Sequence, residues 1–335
     1  MENRTLFLGR SSRSLLIGLA LFAAMPSIAA SLDSVIDAAA VNEVSPSVPL
    51  QAGASGAAVL RAQILLERAS FSPGEIDGRY GSNMKLAVAA FQSARGLDDS
   101  GVLDAPTWEA LNTQAAAGAL VQYEISAADI AGPFAKIPVD MMEKSTLPAL
   151  GYASPLEALG EKFHASPDLL RRLNPGADFA KAGEQILVPN VVGISLSAPV
   201  ARILIDKSDA GLQLLDAEDK VLARYPASTG SEHDPLPIGE WKVTGVATDP
   251  VFHYNPALFW DADPKNEKAK IAPGPNNPVG SVWIDLSKEH YGVHGTPEPS
   301  KIGKTESHGC IRLTNWSARS VAEVVRAGTP VTMRE

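Results

Sequence analysis

Residues 292–313 read Gly-Val-His-Gly-Thr-Pro-Glu-Pro-Ser-Lys-Ile-Gly-Lys-Thr-Glu-Ser-His-Gly-Cys-Ile-Arg-Leu. They hold Cys310, the only cysteine of the 335-residue chain, and two of its six histidines, His294 and His308. A thiol attacks a carbonyl well only as the thiolate. It therefore needs a base within hydrogen-bond reach, itself held in one tautomer by a third group. A backbone carbonyl can be that third group. His294 ends an apolar run, and Cys310 follows a glycine that lets its backbone approach a substrate. A zinc site on His294, His308 and Cys310 is the weaker reading, because no second cysteine accompanies them. His164, His233, His253 and His290 lack such company and read as surface or structural.

Outward from this stretch, 202–206, 212–215, 221–225, 241–246, 282–286 and 291–294 are short β-branched or alternating runs between Gly, Pro and Asp turns. Only 316–327 reads as a helix, with Asn315 as cap and Gly328 as stop. Residues 199–335 are thus expected to form a β-rich domain. The stretch 247–278 is too long for a simple turn and carries Phe252, Tyr254, Phe259 and Trp260. It reads as a lid or binding wall, with a second small apolar cluster as the alternative.

Further upstream, 53–113 predicts a small three-helix unit. Leu60, Ile64 and Leu65 share one helical face, and Met84, Val88 and Phe91 recur at helical spacing. Asp104 is placed to cap a third helix, with Pro106 in its first turn and Trp108 and Leu111 inward. Residues 30–52 lack a sustained period and read as a flexible lead-in. At the start, Arg4, Arg10 and Arg13 precede the apolar run 15–25 and the small-x-small site Ser27-Ile28-Ala29, the three-part pattern of a secretory signal peptide at 1–29. The run is too short to span a membrane. A hydrophobic content of 45% with 20% charge excludes wholesale disorder. A net charge of −9 argues against a nucleic-acid partner bound through bulk positive charge.

The pairing of His294-Gly295 with Ser307-His308-Gly309-Cys310-Ile311-Arg312-Leu313 resembles the L,D-transpeptidase (YkuD-type) family. Ser228-Thr229-Gly230, Pro237-Ile238-Gly239, Pro273-Gly274-Pro275-Asn276-Asn277-Pro278-Val279-Gly280 and Gly328-Thr329-Pro330-Val331 extend the likeness over 200–334. Leu236 departs from it, where many members have Thr. The resemblance implies a β-sandwich-like catalytic domain with Cys310 as nucleophile, His294 as its base and the Gly295 carbonyl orienting the imidazole. His308 would support the thiolate and acyl intermediate, and the N–H groups of Gly309 and Cys310 would be the oxyanion donors. Ser307 and Arg312 match the signature, Arg312 to bind a substrate carboxylate or brace the loop. Tyr254 and Trp260 are the candidate substrate-binding residues of the long loop.

Two further resemblances complete a multidomain α+β organisation. Leu60-Arg61-Ala62-Gln63-Ile64-Leu65-Leu66, Ile76-Asp77-Gly78-Arg79-Tyr80-Gly81, Ala87-Val88-Ala89-Ala90-Phe91-Gln92 and Gly101-Val102-Leu103-Asp104-Ala105-Pro106-Thr107-Trp108 resemble, in that order, the peptidoglycan-binding helical domain. Residues 121–190 resemble a LysM domain: Leu156, Leu159, Gly160 and Phe163, then Asp168-Leu169-Leu170 with Leu173-Asn174-Pro175-Gly176, then Gly183-Glu184-Gln185-Ile186-Leu187-Val188-Pro189. Its opening strand would be Tyr123-Glu124-Ile125, followed by a long insertion; a helical spacer is the alternative. Together these imply an enzyme of the periplasm or cell wall that forms 3→3 cross-links in peptidoglycan. A tetrapeptide stem would be the acyl donor, through a Cys310 thioester, and a diamino-acid amine the acceptor. Water as acceptor would make it a carboxypeptidase or endopeptidase, and a lipoprotein lysine an anchoring enzyme; a non-catalytic wall-binding scaffold is the reading from another class. No metal or organic cofactor is implied, because the thioester retains the energy of the cleaved bond. Carbapenem-type β-lactams are the expected inhibitors.

Overall fold

The computed structural model describes Met1 and residues 36–43, 49–113, 118–191, 196 and 198–335. Met1 apart, the export signal expected at 1–29 lies outside the described residues. The helical part comprises α1 (Ala38–Glu43), α2 (Ala57–Arg68), α3 (Ser82–Ala94) and α4 (Ala105–Asn112). Asp104 caps α4 as expected, its carboxylate accepting from the Thr107 N–H at 3.0 Å. Leu65, Leu66, Met84, Val88, Phe91, Trp108 and Leu111 close one core. Leu60 and Ile64, expected to share that core with Leu65, face the other way into a second core, so α2 is buried on two sides. Part of the lead-in expected to be flexible is ordered. Val41 of α1 is buried, and the Arg61 guanidinium donates to the Val41 and Asn42 carbonyls at 3.2 and 2.8 Å. A six-residue helix carries too few turns to show a period, and tertiary contacts hold it.

Next come β1 (Leu120–Glu124), α5 (Met141–Ser145), α6 (Pro155–Lys162), α7 (Pro167–Leu173) and β2 (Gln185–Pro189). Strands β1 and β2 pair antiparallel, Leu120 opposite Pro189 and Glu124 opposite Gln185. Ser154 and Ser166 cap α6 and α7, each followed by a proline at the first helical position. Leu156, Leu159, Leu169, Leu170, Ile186 and Val188 pack with Leu60, Ile64 and Ile76, so this segment and the helical unit share one core.

The remaining chain forms β3 (Arg202–Asp206), β4 (Gly211–Leu215), β5 (Val221–Pro226), β6 (Gly239–Thr248), β7 (Phe252–Tyr254), β8 (Ala269–Ile271), β9 (Val282–Leu286), β10 (Gly292–His294), β11 (Ile311–Arg312), α8 (Asn315–Val324) and β12 (Pro330–Arg334). Eight of these strands make one mixed sheet in the order β11-β10-β9-β6-β12-β3-β4-β5. The β-sandwich-like expectation is therefore corrected to a single curled sheet. The ten-residue β6 belongs to both halves: its start pairs with β12 and the rest with β9, with a register shift between Val243 and Gly245. Ile203, Leu212 and Val331 from one half meet Ile284, Val293 and Ile311 from the other, with Val321 of α8, in one core. The cap of α8 is Thr314 rather than Asn315; its hydroxyl accepts from the Ser317 N–H at 3.2 Å, which frees Asn315 for other work. Among the described residues no helix is long and apolar enough to cross a membrane.

Candidate active site

Strands β10 and β11 run parallel, with Val293 opposite Ile311 and His294 opposite Arg312. Val293 and Ile311 point into the core. Alternation along the strands then places Gly292, His294, Cys310 and Arg312 together on the other face. Sequence-distant residues thus meet at one sheet edge. Gly309, just before the cysteine, sits at φ +98°, and a Cβ there would lie 2.8 Å from the Tyr291 ring. Conformation and space both require glycine.

His294 is only 5% exposed. Its Nδ1 lies 2.7 Å from the Gly295 carbonyl, so Nδ1–H donates and Nε2 is left to accept. Trp283, its cross-strand neighbour on β9, stacks on the ring at 5.5 Å. Burial pushes the imidazole pKa down to about 4. Burial also pushes the Cys310 thiol up to about 11, against a smaller opposing effect of a backbone hydrogen bond from Gly292. In the resting arrangement Sγ–H donates to the His290 carbonyl at 3.6 Å rather than to His294. Both partners are neutral near pH 7.

The turn carrying Cys310 is braced from beneath. The Ser307 hydroxyl donates to the Cys310 carbonyl at 2.5 Å, and its N–H donates to Thr229 at 2.9 Å. Ser307 is 7% exposed, so it supports the turn rather than presenting itself to a substrate. Arg312 Nη2 donates to the Thr305 hydroxyl at 3.2 Å and to the Glu306 carbonyl, bracing the same turn. Asn315 holds the other side. Its carbonyl oxygen accepts from Ser281 and Thr296 N–H groups, each at 3.1 Å, and its amide donates to Glu161 at 2.5 Å and Pro275 at 3.1 Å.

His308 faces the long loop. Its Nε2 is 2.8 Å from Asp261 Oδ1, Phe259 meets its ring edge-on at 5.2 Å, and Trp260 lies at 6.1 Å. Trp260 is 61% exposed and stacks on His233 at 4.6 Å. Tyr254 is corrected. It is 4% exposed, packs with Leu150 and Ile271, and its hydroxyl accepts from Asn266 at 3.0 Å, so it anchors the loop instead of facing a ligand. The 247–278 stretch therefore contains the apolar cluster of the second alternative at its base and carries Trp260 exposed at its tip. Among the described residues no group of three or more His, Cys, Asp or Glu is arranged to hold a metal ion. Sequence reasoning missed Trp283, Asp261 and Asn315. Only Asn315 had a signal, the adjacent Thr314-Asn315 pair in which one residue alone can cap.

The L,D-transpeptidase catalytic domain family, YkuD, matches residues 200–333, and the "Putative peptidoglycan binding domain" family matches 55–111. The "Putative L,D-transpeptidase YkuD" of Bacillus licheniformis is 30% identical over 180 residues, covering 53% of this chain and 92% of its own. Its namesake in Bacillus subtilis is 27% identical over 179 residues, with the same two coverages, 53% and 92%. An L,D-transpeptidase structure from Xylanimonas cellulosilytica superposes with a TM-score of 0.37 and 17% identity, covering 87% of this chain and 100% of that one. The chain belongs to the L,D-transpeptidase (YkuD) family, cysteine-dependent acyltransferases.

Proposed function

We propose that this enzyme makes 3→3 cross-links in peptidoglycan, with Cys310 as nucleophile and His294 as its base. The observation that carries the reading is the His294 imidazole, fixed through Nδ1 on the Gly295 carbonyl in the strand beside Cys310, with Nε2 free to take a proton. The thiol rotates from the His290 carbonyl, passes its proton to Nε2, and Sγ attacks the carbonyl between the third stem residue and terminal D-Ala. The N–H groups of Gly309 and Cys310, which donate to no protein acceptor among the described residues, receive the oxyanion. The C–N bond breaks, D-Ala leaves with the proton from His294, and a thioester remains on Cys310. An amine of a neighbouring stem gives its proton to His294, attacks the thioester and displaces the sulfur. His308 supports the acyl intermediate from the loop side, and the Arg312 charge beside Cys310 suits a substrate carboxylate.

The helical unit and the middle segment, whose paired outer strands β1 and β2 enclose α6 and α7 with α5 as an additional short helix before them, a pattern that supports the LysM reading, would hold the enzyme on the wall. The export pattern at 1–29 supports a location in the periplasm or cell wall. A strained carbapenem would acylate Cys310 by the same attack. Mass spectrometry of purified muropeptides tests the reading: wild-type protein should release D-Ala and yield 3→3 dimers, and Cys310→Ala neither. D-Ala release by Cys310→Ala would sink the assignment, and tripeptides without dimers would make water the acceptor.

A further inference from the structure

The helical unit touches both segments that carry the nucleophile turn. Residues 70–72 run beside β5: Arg224 N–H donates to the Ser70 carbonyl at 2.9 Å and Ser72 N–H to the Arg224 carbonyl at 2.8 Å. Beyond β5, Ser228 and Gly230 bridge to Arg312 and Ser307, on either side of Cys310. The second contact is more direct. Asn83, in the first turn of α3, is 7% exposed and donates its amide to the Ile302 carbonyl at 2.8 Å. Helix α3 does not need it, since no side chain caps that end. Gly303 follows at φ +71°, and a Cβ there would lie 2.4 Å from Asn83 Oδ1. The Gly303 N–H then donates to the Ser228 hydroxyl at 3.1 Å. Asn83, Gly303 and Ser228 thus join α3, the start of the nucleophile turn and the segment under it.

We propose that Asn83 is a positioning residue for the transpeptidase reaction, through which the wall-binding helical unit fixes the turn bearing Cys310. This rests on the catalytic reading above. A tethered module raises only the local concentration of substrate. A docked one also sets where the nucleophile stands, and that contribution survives when the substrate carries no glycan.

The test uses the full-length protein and a free tetrapeptide stem, on which tethering has no effect. Removing the amide leaves a buried carbonyl unpaired, so Asn83→Ala should lower kcat for D-Ala release about tenfold, with KM within about twofold. Active-site titration with a carbapenem should still label Cys310 in every chain but at an altered rate, and pelleting with insoluble peptidoglycan should be unchanged. Gly303→Ala should act in the same direction. A wild-type kcat on the free stem in Asn83→Ala, with loss confined to intact wall, overturns the proposal. A fall in kcat matched by a fall in the fraction of chains that the carbapenem labels overturns it as well, because the residue would then only keep the chain folded. Should Asn83→Ala unfold at assay temperature, the equal-sized Asn83→Asp decides by the same two readouts. Failure of the catalytic reading shows separately, as D-Ala release by Cys310→Ala.

Discussion

The Cys310 thiol and the His294 imidazole are both uncharged at neutral pH because each is withdrawn from water. A charged histidine beside a cysteine lowers the thiol pKa below about 8.5. Here burial dominates, raising the thiol to about 11 and lowering the imidazole to about 4. In the proposed reaction the proton then moves from sulfur to Nε2 as Sγ attacks, with no thiolate formed beforehand. Between these two values neither group changes charge, so acylation of Cys310 by a carbapenem should be nearly flat from about pH 5.5 to about 9.5 and fall below that as His294 protonates. In His294→Ala the base is gone, and the rate should climb about tenfold per pH unit across the same range as the thiol ionises. Mass-spectrometric rates across pH measure both. A wild-type limb near pH 8.5 would show a solvated, ordinary thiol.

At the scale of elements, the long loop between β7 and β8 is gripped at both ends of its reach. Its base is apolar, with Tyr254 and Ile271 packed on Leu150. Its tip meets the nucleophile turn through Asp261 and His308, both part-exposed. A side-chain contact of that exposure contributes at most about 1 kcal/mol. Asp261→Ala should therefore raise KM for a tetrapeptide stem about two- to fivefold and leave the melting temperature within about 1 °C. Hydrogen exchange should quicken in 255–266 and stay unchanged in β9. Unchanged exchange at the tip would show that the pair does not hold the loop.

At the scale of the molecule, Glu161 ties the middle segment to the floor of the site through Asn315. Burial raises its pKa from 4.5 to about 7, against the smaller opposing hydrogen bond from Asn315. The folded state therefore binds this proton more tightly than the unfolded one, and stability is lost as pH rises from about 4.5 to 7. His294 acts in the opposite sense between about 4 and 6.5, so the difference between variant and wild type is the quantity to measure. Glu161→Gln keeps the size and the bond to Asn315 but cannot ionise. Its stability in urea relative to wild type should rise between pH 5 and 7.5, by at most about 3 kcal/mol. A difference independent of pH would mean that the carboxylate stays solvated.

Local signals alone determined a good part of this protein. Asp104, Ser154 and Ser166 cap helices because a hydroxyl or carboxylate beside free N–H groups needs nothing distant. The β3, β4, β5 and β9 runs were legible from alternation, and the cluster of His294, His308 and Cys310 from composition and spacing. Tertiary structure decided the rest. Whether α2 has one buried face or two depends on what packs against Leu60 and Ile64, and that partner lies about a hundred residues away in sequence. Tyr254 and Trp260 share one apolar loop in sequence, yet one is core and the other exposed. Asn315 read as a cap because its one long-range use, bonding Ser281, Thr296, Pro275 and Glu161 at once, exists only after the sheet has curled. The raised pKa of Cys310 has the same origin: desolvation is a property of the finished packing, and no neighbour in sequence reports it.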